Sequence, residues 1–251
     1  MVVGHDHLGH GKTAKTPEDW GYFADGESPE ILIGDMNKLR TLSQEPDKPY
    51  FMLGHSMGSY LLRRYLSVYG GGLSGAVIMG TGANPDAVAK LGMAVCKAIA
   101  AFKGWKYRSP FMEKLFFSGD FQKFDMDGTH PENSWLTKDT EIVRFYYSEP
   151  RCIFKFTLKA YYDFLKTVYY VNRKENVEKI PKDLPILMVA GDCDPVGEFG
   201  KAVKRVYEMY KAAGINDVTL KLYENDRHEI LNETDKERVF DDIFNWCESR
   251  Q

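Results

Sequence analysis

Residues 49–66, PYFMLGHSMGSYLLRRYL, set an apolar run ending at Leu53 against an amphipathic run beginning at Tyr60, with Gly54-His55-Ser56-Met57-Gly58 between them. A strand feeding such a turn and then a helix holds residue 56 in a sparsely allowed backbone conformation with its hydroxyl exposed. Bulky side chains two residues to either side would collide there, which gives both Gly54 and Gly58 a steric reason. Ordinary glycine usage yields a GxSxG in roughly one chain in ten of this length, so the flanking strand and helix carry the reading and the pentapeptide alone does not.

Outward from this turn, short apolar runs alternate with helical patterns at both ends of the chain, the signature of a parallel sheet covered by helices and hence of an α/β fold. Met1-Val2-Val3 reads as the end of a strand, and Ser28-Pro29-Glu30 opens a helix along Ile31, Leu32, Met36, Leu39 and Leu42. Pro49–Leu53 gives a buried strand, Ser59–Tyr69 a helix and Gly75–Met79 a further strand. Residues 84–178 hold helices and no convincing strand, which marks an insertion of the lid type. One of its helices turns the face Val88, Leu91, Val95, Ile99, Phe102, and another runs from Cys152 to Tyr170. Alternation then returns. Residues 185–190, PILMVA, form a strand buried on both faces, while 218–223, VTLKLY, alternate as an outermost strand should. A helix from Phe199 to Ala213 lies between them, and Val239, Phe240, Ile243, Phe244 and Trp246 mark a closing helix. The division is therefore a core over 1–83 and 179–251 with a helical cap over 84–178.

Composition narrows the function classes. A chain of 251 residues, 43% hydrophobic and 14% aromatic, supports a large core, and its charges nearly balance at net −3. Lys and Arg are interspersed with acids and form no basic face, which disfavours nucleic acid. The apolar stretches are too short to span a bilayer, and the N-terminus has no signal-type region. Cys96, Cys152, Cys193 and Cys247 are scattered without a CxxC pair, so reduced thiols in a cytoplasmic protein fit. Oligomeric state is left open.

A serine hydroxyl becomes a nucleophile only beside a base that an acid orients, and after this turn they arrive in the order acid, histidine. Gly191-Asp192-Cys193-Asp194-Pro195 follows one strand and Glu224-Asn225-Asp226-Arg227-His228-Glu229 follows another. Loops at the carboxyl ends of parallel strands converge, so Ser56, an acid and His228 can meet. Asp192 and Asp194 compete for the acid; Asp226 and Glu229 are read as capping or solvating the His228 loop.

Together these segments resemble the α/β-hydrolase superfamily in its monoacylglycerol lipase and lysophospholipase-like branch, grouped with serine aminopeptidases. The matching stretches are GHDHLGHGKT, LGHSMGS, GDCDPVG and DRHEILNE, with an inserted helical cap, and they span nearly the whole chain. The resemblance implies Ser56 as nucleophile, His228 as general base and acid, Asp194 as its orienter and the Met57 backbone N–H as one oxyanion donor. No metal or other cofactor is implied. It also implies three strands ahead of Met1, the third lying beside the nucleophile strand and leading into the loop that supplies a second oxyanion donor. Either the numbering begins inside a longer protein, or downstream of the true start, or the sheet is rearranged or completed by a partner, and a lost donor would cost about 10²–10³ in rate.

Two features of the first segment are decoys. Gly9-His10-Gly11-Lys12-Thr13 ends like a phosphate loop, but Asp6 stands where that motif needs glycine and Thr16-Pro17 interrupts the helix that should follow. His5, His7 and His10 lack the partner set of a metal site. The expected activity is cleavage of esters of lipophilic acyl groups, such as a monoacylglycerol, a lysophospholipid or a small ester. About half of the cap aromatics Phe102, Trp105, Phe111, Phe116, Phe117, Tyr146, Tyr147, Phe154, Tyr161, Tyr162, Phe164 and Tyr169 are expected to line its pocket. The rivals are an aminopeptidase, whose amine-holding acid could be Glu113 or Asp163, and a non-catalytic binding protein on the same fold.

Overall fold

The four apolar runs pair into one parallel sheet in sequential order, β1 Phe51–His55, β2 Gly75–Met79, β3 Ile186–Gly191 and β4 Val218–Tyr223. The architecture comes from a computed structural model that describes residues 1–250. Along the chain α1 (Ser28–Ser43) precedes β1, and α2 (Met57–Tyr69) joins β1 to β2. Between β2 and β3 stand α3 (Asp86–Lys103), α4 (Pro110–Phe116), α5 (Thr140–Ser148), α6 (Pro150–Ile153), α7 (Leu158–Val171) and α8 (Lys174–Val177). Then α9 (Lys201–Ala212) links β3 to β4, and α10 (Glu237–Glu248) closes the chain.

Period-two alternation in the central strands sorts the core into two layers. Ala76, Ile78, Ile186 and Met188 pack with Leu62, Leu66 and Val206 on one face, while Val77, Met79, Leu187 and Val189 pack with Val239 and Trp246 on the other. Strands β2 and β3 are buried throughout, as their continuous apolar runs require, and β4 is the alternating edge strand.

Four expectations need correction. Strand β1 is the opposite edge instead of a buried strand: it bonds only β2 among the described residues, and Leu53 is 47% exposed. Met1-Val2-Val3 is irregular and exposed, paired with no strand among the described residues. On α3 the expected apolar face is only partly covered: Val88, Leu91 and Phe102 are exposed at 53%, 64% and 90%, while Val95 and Ile99 pack half-buried against the core. The buried stripe is the small one, Ala89, Gly92, Cys96 and Ala100, because α7 approaches so closely that a Cβ on Gly92 would lie 2.7 Å from Leu165 Cδ1. Finally, the helix expected from Cys152 to Tyr170 is broken. α6 ends at Ile153, and α7 starts anew behind Thr157, whose Oγ1 accepts the Ala160 N–H as a cap and whose N–H bonds Gly21 O.

Candidate functional site

Ser56 sits between β1 and α2 at φ 53°, ψ −122°, a strained backbone for a residue with a side chain. The strain is held by three bonds: the Ser56 N–H donates to Met79 O at 3.1 Å, and the Ser56 carbonyl accepts both the Ser59 N–H and the Ser59 hydroxyl. A Cβ on Gly54 would lie 2.4 Å from Gly58 O, so the strand passes under the helix only because residue 54 is glycine. The steric reason expected for Gly58 is absent, since a Cβ there meets nothing within 4 Å. What must come close is the Gly58 backbone. Met57 is the first residue of α2, where an amide has no intrahelical acceptor.

The two loops named from the sequence meet beside this turn. His228 is 3% exposed, and its Nδ1 lies 2.9 Å from Asp194 Oδ2, while Asp194 Oδ1 accepts the Val196 N–H at 2.8 Å. The competing Asp192 points elsewhere: its Oδ1 accepts the Asn225 N–H at 2.8 Å and braces the neighbouring loop. The loops touch backbone to backbone, and a Cβ on Gly191 would overlap Asp226 O at 2.0 Å. Asp226 is fully buried and ion-paired with Lys138 and Arg238, not solvated as expected, while Glu229 accepts from Asn232 Nδ2.

Residues flanking Ser56 complete the junction. The His55 ring stands 4.5 Å from the His228 ring, and its Nε2 is 3.0 Å from the His228 carbonyl, which as an acceptor fixes the Nε2–H form. Burial, reinforced by the nearby His228, lowers the His55 pKa to about 4. Gly80, next to the Met79 carbonyl that binds Ser56, leaves room for both rings, because a Cβ there would lie 3.1 Å from each. The Ser56 hydroxyl itself hydrogen-bonds no described residue, and what stands against His228 is the ring of the preceding residue, His55.

Ser56 and Met57 open on a cavity of about 610 Å³, within the range of about 300–1,000 Å³ usual for small-molecule sites. Six of the twelve aromatics named above line it: Phe116, Phe117, Tyr146, Phe154, Tyr161 and Phe164. Trp135 and Phe121, which carry no periodic signal in the sequence, line it as well, and the Trp135 ring lies 5.1 Å from that of His228. Glu113 is at the wall but bound to Lys155 at 2.7 Å, and buried Asp163, its pKa raised by burial, pairs with Lys159. A second depression, of about 660 Å³, is lined by Asn37, Arg40, Gln44 and other residues of a different region and by none of those just described.

Neither decoy assembles a site. The Lys12 N–H donates to Asp6 Oδ2 at 2.8 Å, so an acid already fills the turn where a phosphate would sit. His7 packs edge-on to His5, whereas His10 lies against Phe23 and Phe154 and lines the cavity. Elsewhere Asp226, Glu233 and Asp235 gather their carboxylates within 4.8 Å, with Lys138 and Arg238 set among them as counter-ions.

Comparison with known proteins agrees with this layout. The family model described as serine aminopeptidase, S33, matches residues 1–235. The chain is 26% identical over 256 residues to a monoacylglycerol lipase of Mycolicibacterium smegmatis, covering 99% of this chain and 78% of that protein. It is 26% identical over 261 residues to a monoglyceride lipase of Mus musculus, covering 100% and 74%. Among solved structures, a highly thermostable carboxyl esterase from Bacillus coagulans in complex with glycerol superposes with a TM-score of 0.85 at 31% identity, covering 98% of this chain and 79% of that one. With a strand-to-helix serine turn, a buried aspartate–histidine pair at the ends of successive parallel strands and a family match over nearly its whole length, the chain belongs to the serine aminopeptidase S33 family of α/β-hydrolases.

Proposed function

We propose that this protein is a serine hydrolase that cleaves carboxylic esters of lipophilic acyl groups through an acyl-enzyme, with Ser56 as nucleophile, His228 as general base and acid, and Asp194 as its orienter. The observation that carries this reading is the buried His228–Asp194 pair at 2.9 Å, set beside a strained turn whose serine opens on an aromatic cavity. With Nδ1–H directed at the carboxylate, Nε2 keeps a lone pair for the Ser56 proton. Attack on an ester carbonyl then places the oxyanion near the start of α2, where the Met57 N–H and the helix dipole favour negative charge. The imidazolium returns its proton to the departing alkoxide, and water repeats the sequence on the acyl-enzyme.

The cavity wall suits an acyl chain, and residues 84–178, which supply most of it, act as the cap over a core formed by 1–83 and 179–251. Relatives named as monoacylglycerol lipases and a carboxyl esterase favour monoacylglycerols or small esters over peptides, and lysophospholipids share the same acyl-ester chemistry. The same choice is supported by Glu113 and Asp163, which are both engaged by lysines and so poorly placed to hold a free amine. Among the described residues no helix is long and apolar enough to cross a membrane.

A fluorophosphonate probe should label the parent chain and leave Ser56→Ala unlabelled. Against p-nitrophenyl esters of graded acyl length and aminoacyl anilides, the esters should be turned over. Hydrolysis of anilides alone would replace this substrate class with the peptidase one, and an unlabelled parent chain would mean a binding protein.

A further inference from the structure

The backbone of His228 is gripped by a strap from the insertion. Its N–H donates to Trp135 O at 3.3 Å, and the next N–H, of Glu229, donates to Leu136 O at 2.8 Å. The Arg227 guanidinium reaches the carbonyls of Glu132, Ser134 and Thr137, and Lys138 Nζ meets Asp226 Oδ1 at 2.8 Å. One fully buried carboxylate closes the clasp. Glu233 Oε1 accepts the Arg227 N–H at 2.8 Å, while Oε2 accepts the Thr137 hydroxyl at 3.0 Å and the Lys138 N–H at 2.9 Å. Arg227 lies immediately before His228, and Thr137 and Lys138 immediately after the Trp135–Leu136 grip. Without Glu233 the Arg227 and Lys138 N–H groups would lose their acceptor, whereas the Thr137 hydroxyl would keep the Asn232 carbonyl at 3.0 Å.

We infer that Glu233 is a positioning residue for the proposed proton transfer: by tying Thr137 and Lys138 to Arg227, it fixes the 134–138 strap against the His228 backbone and so aims the imidazole. The inference rests on the assignment of His228 as base. With the N–H held by Trp135 O, the carbonyl by His55, Nδ1 by Asp194 and a ring face against Trp135, only Nε2 remains for chemistry.

Full-length variants test it by kcat and KM on a p-nitrophenyl ester, by the rate constant for fluorophosphonate labelling and by melting temperature. Thr137→Val keeps shape but removes the hydroxyl, which donates toward Glu233 Oε2 and Asn232 O and accepts the Asp139 N–H. It should lower kcat about tenfold, change KM less than about twofold and slow labelling by the same factor as kcat, since a misaimed base and not a lost binding contact is at fault. Thr137→Ser should restore kcat. Glu233→Gln, whose amide turns N–H groups toward N–H donors, should lower kcat on the order of a hundredfold; should it fail to fold, the Thr137 pair decides. The inference is overturned by a Thr137→Val kcat within about twofold of the parent, by a loss that Thr137→Ser does not restore, or by a change in KM alone. His228→Ala separates the two readings. If it retains activity the assignment of the base fails, whereas a dead His228→Ala beside an unimpaired Thr137→Val removes only the role of Glu233.

Discussion

Gly54 and Gly58 flank Ser56 symmetrically along the chain and asymmetrically in space. A methyl group at 54 would be driven to 2.4 Å from Gly58 O, a backbone atom that cannot give way, while a methyl group at 58 would point into open space from the first turn of α2. Gly54→Ala should therefore cost about 2–4 kcal/mol, and Gly58→Ala should fold with a melting temperature at or above that of the parent, since alanine favours a helix by about 1 kcal/mol over glycine. Thermal melts of the pair check this, and equal losses would refute it. The spacing of the two glycines is legible in the sequence, but which one bears the steric load depends on the crossing of strand under helix. The same holds for the proposed acid: Asp192 and Asp194 are alike in sequence, and what separates them is their partners, the Asn225 N–H for one and His228 Nδ1 for the other.

At the level of elements, the pattern of apolar residues located α3 correctly but missed its most buried stripe: Val95 and Ile99 pack half-buried on the core and Val88 and Leu91 line the cavity, while Phe102 is exposed. Large side chains at 88, 91 and 102 imply a buried face by periodicity, yet the face against α7 is built from Ala89, Gly92, Cys96 and Ala100. Close helix contact rewards small residues, a preference that a hydropathy pattern does not register. Gly92→Val should thus cost about 1–3 kcal/mol by overpacking against Leu165, and Phe102→Ser should stay within about 0.5 kcal/mol of the parent. Denaturant melts of both variants decide which face is inside, and the reverse order would restore the periodic reading. By contrast β2, β3 and β4 are read from sequence almost to the residue, because burial on two faces or on one leaves an unambiguous run or alternation. The start of α7 escaped because its cap, Thr157, is satisfied by Gly21, a partner 136 residues away.

For the molecule as a whole, folding buries histidines in their neutral form. Burial lowers the pKa of both His7 and His55 from 6.5 to about 4, and His10 is lowered as well. Between those values the unfolded chain takes up protons that the folded chain refuses, so stability is fully present above about pH 6.5 and is lost as pH falls toward about 4. The melting temperature should therefore decline from pH 7 to pH 5, before most carboxylates titrate, and the double variant His7→Gln/His55→Gln should flatten the decline. A melting temperature indifferent to pH over that window would refute the account. None of this is visible in a list of six histidines, since it depends on which of them the fold encloses.

The clasp around residue 228 also sets a rule for anyone recombining this scaffold with a homologue. Although residues 132–138 lie between β2 and β3, their hydrogen bonds run to the loop after β4, so they behave as part of the recipient framework. A chimera that imports a foreign lid in one block would carry away the half of the joint that residues 227–233 were shaped to fit. Crossover points placed inside that block, on either side of the strap, leave the joint whole and free the remaining helices for exchange.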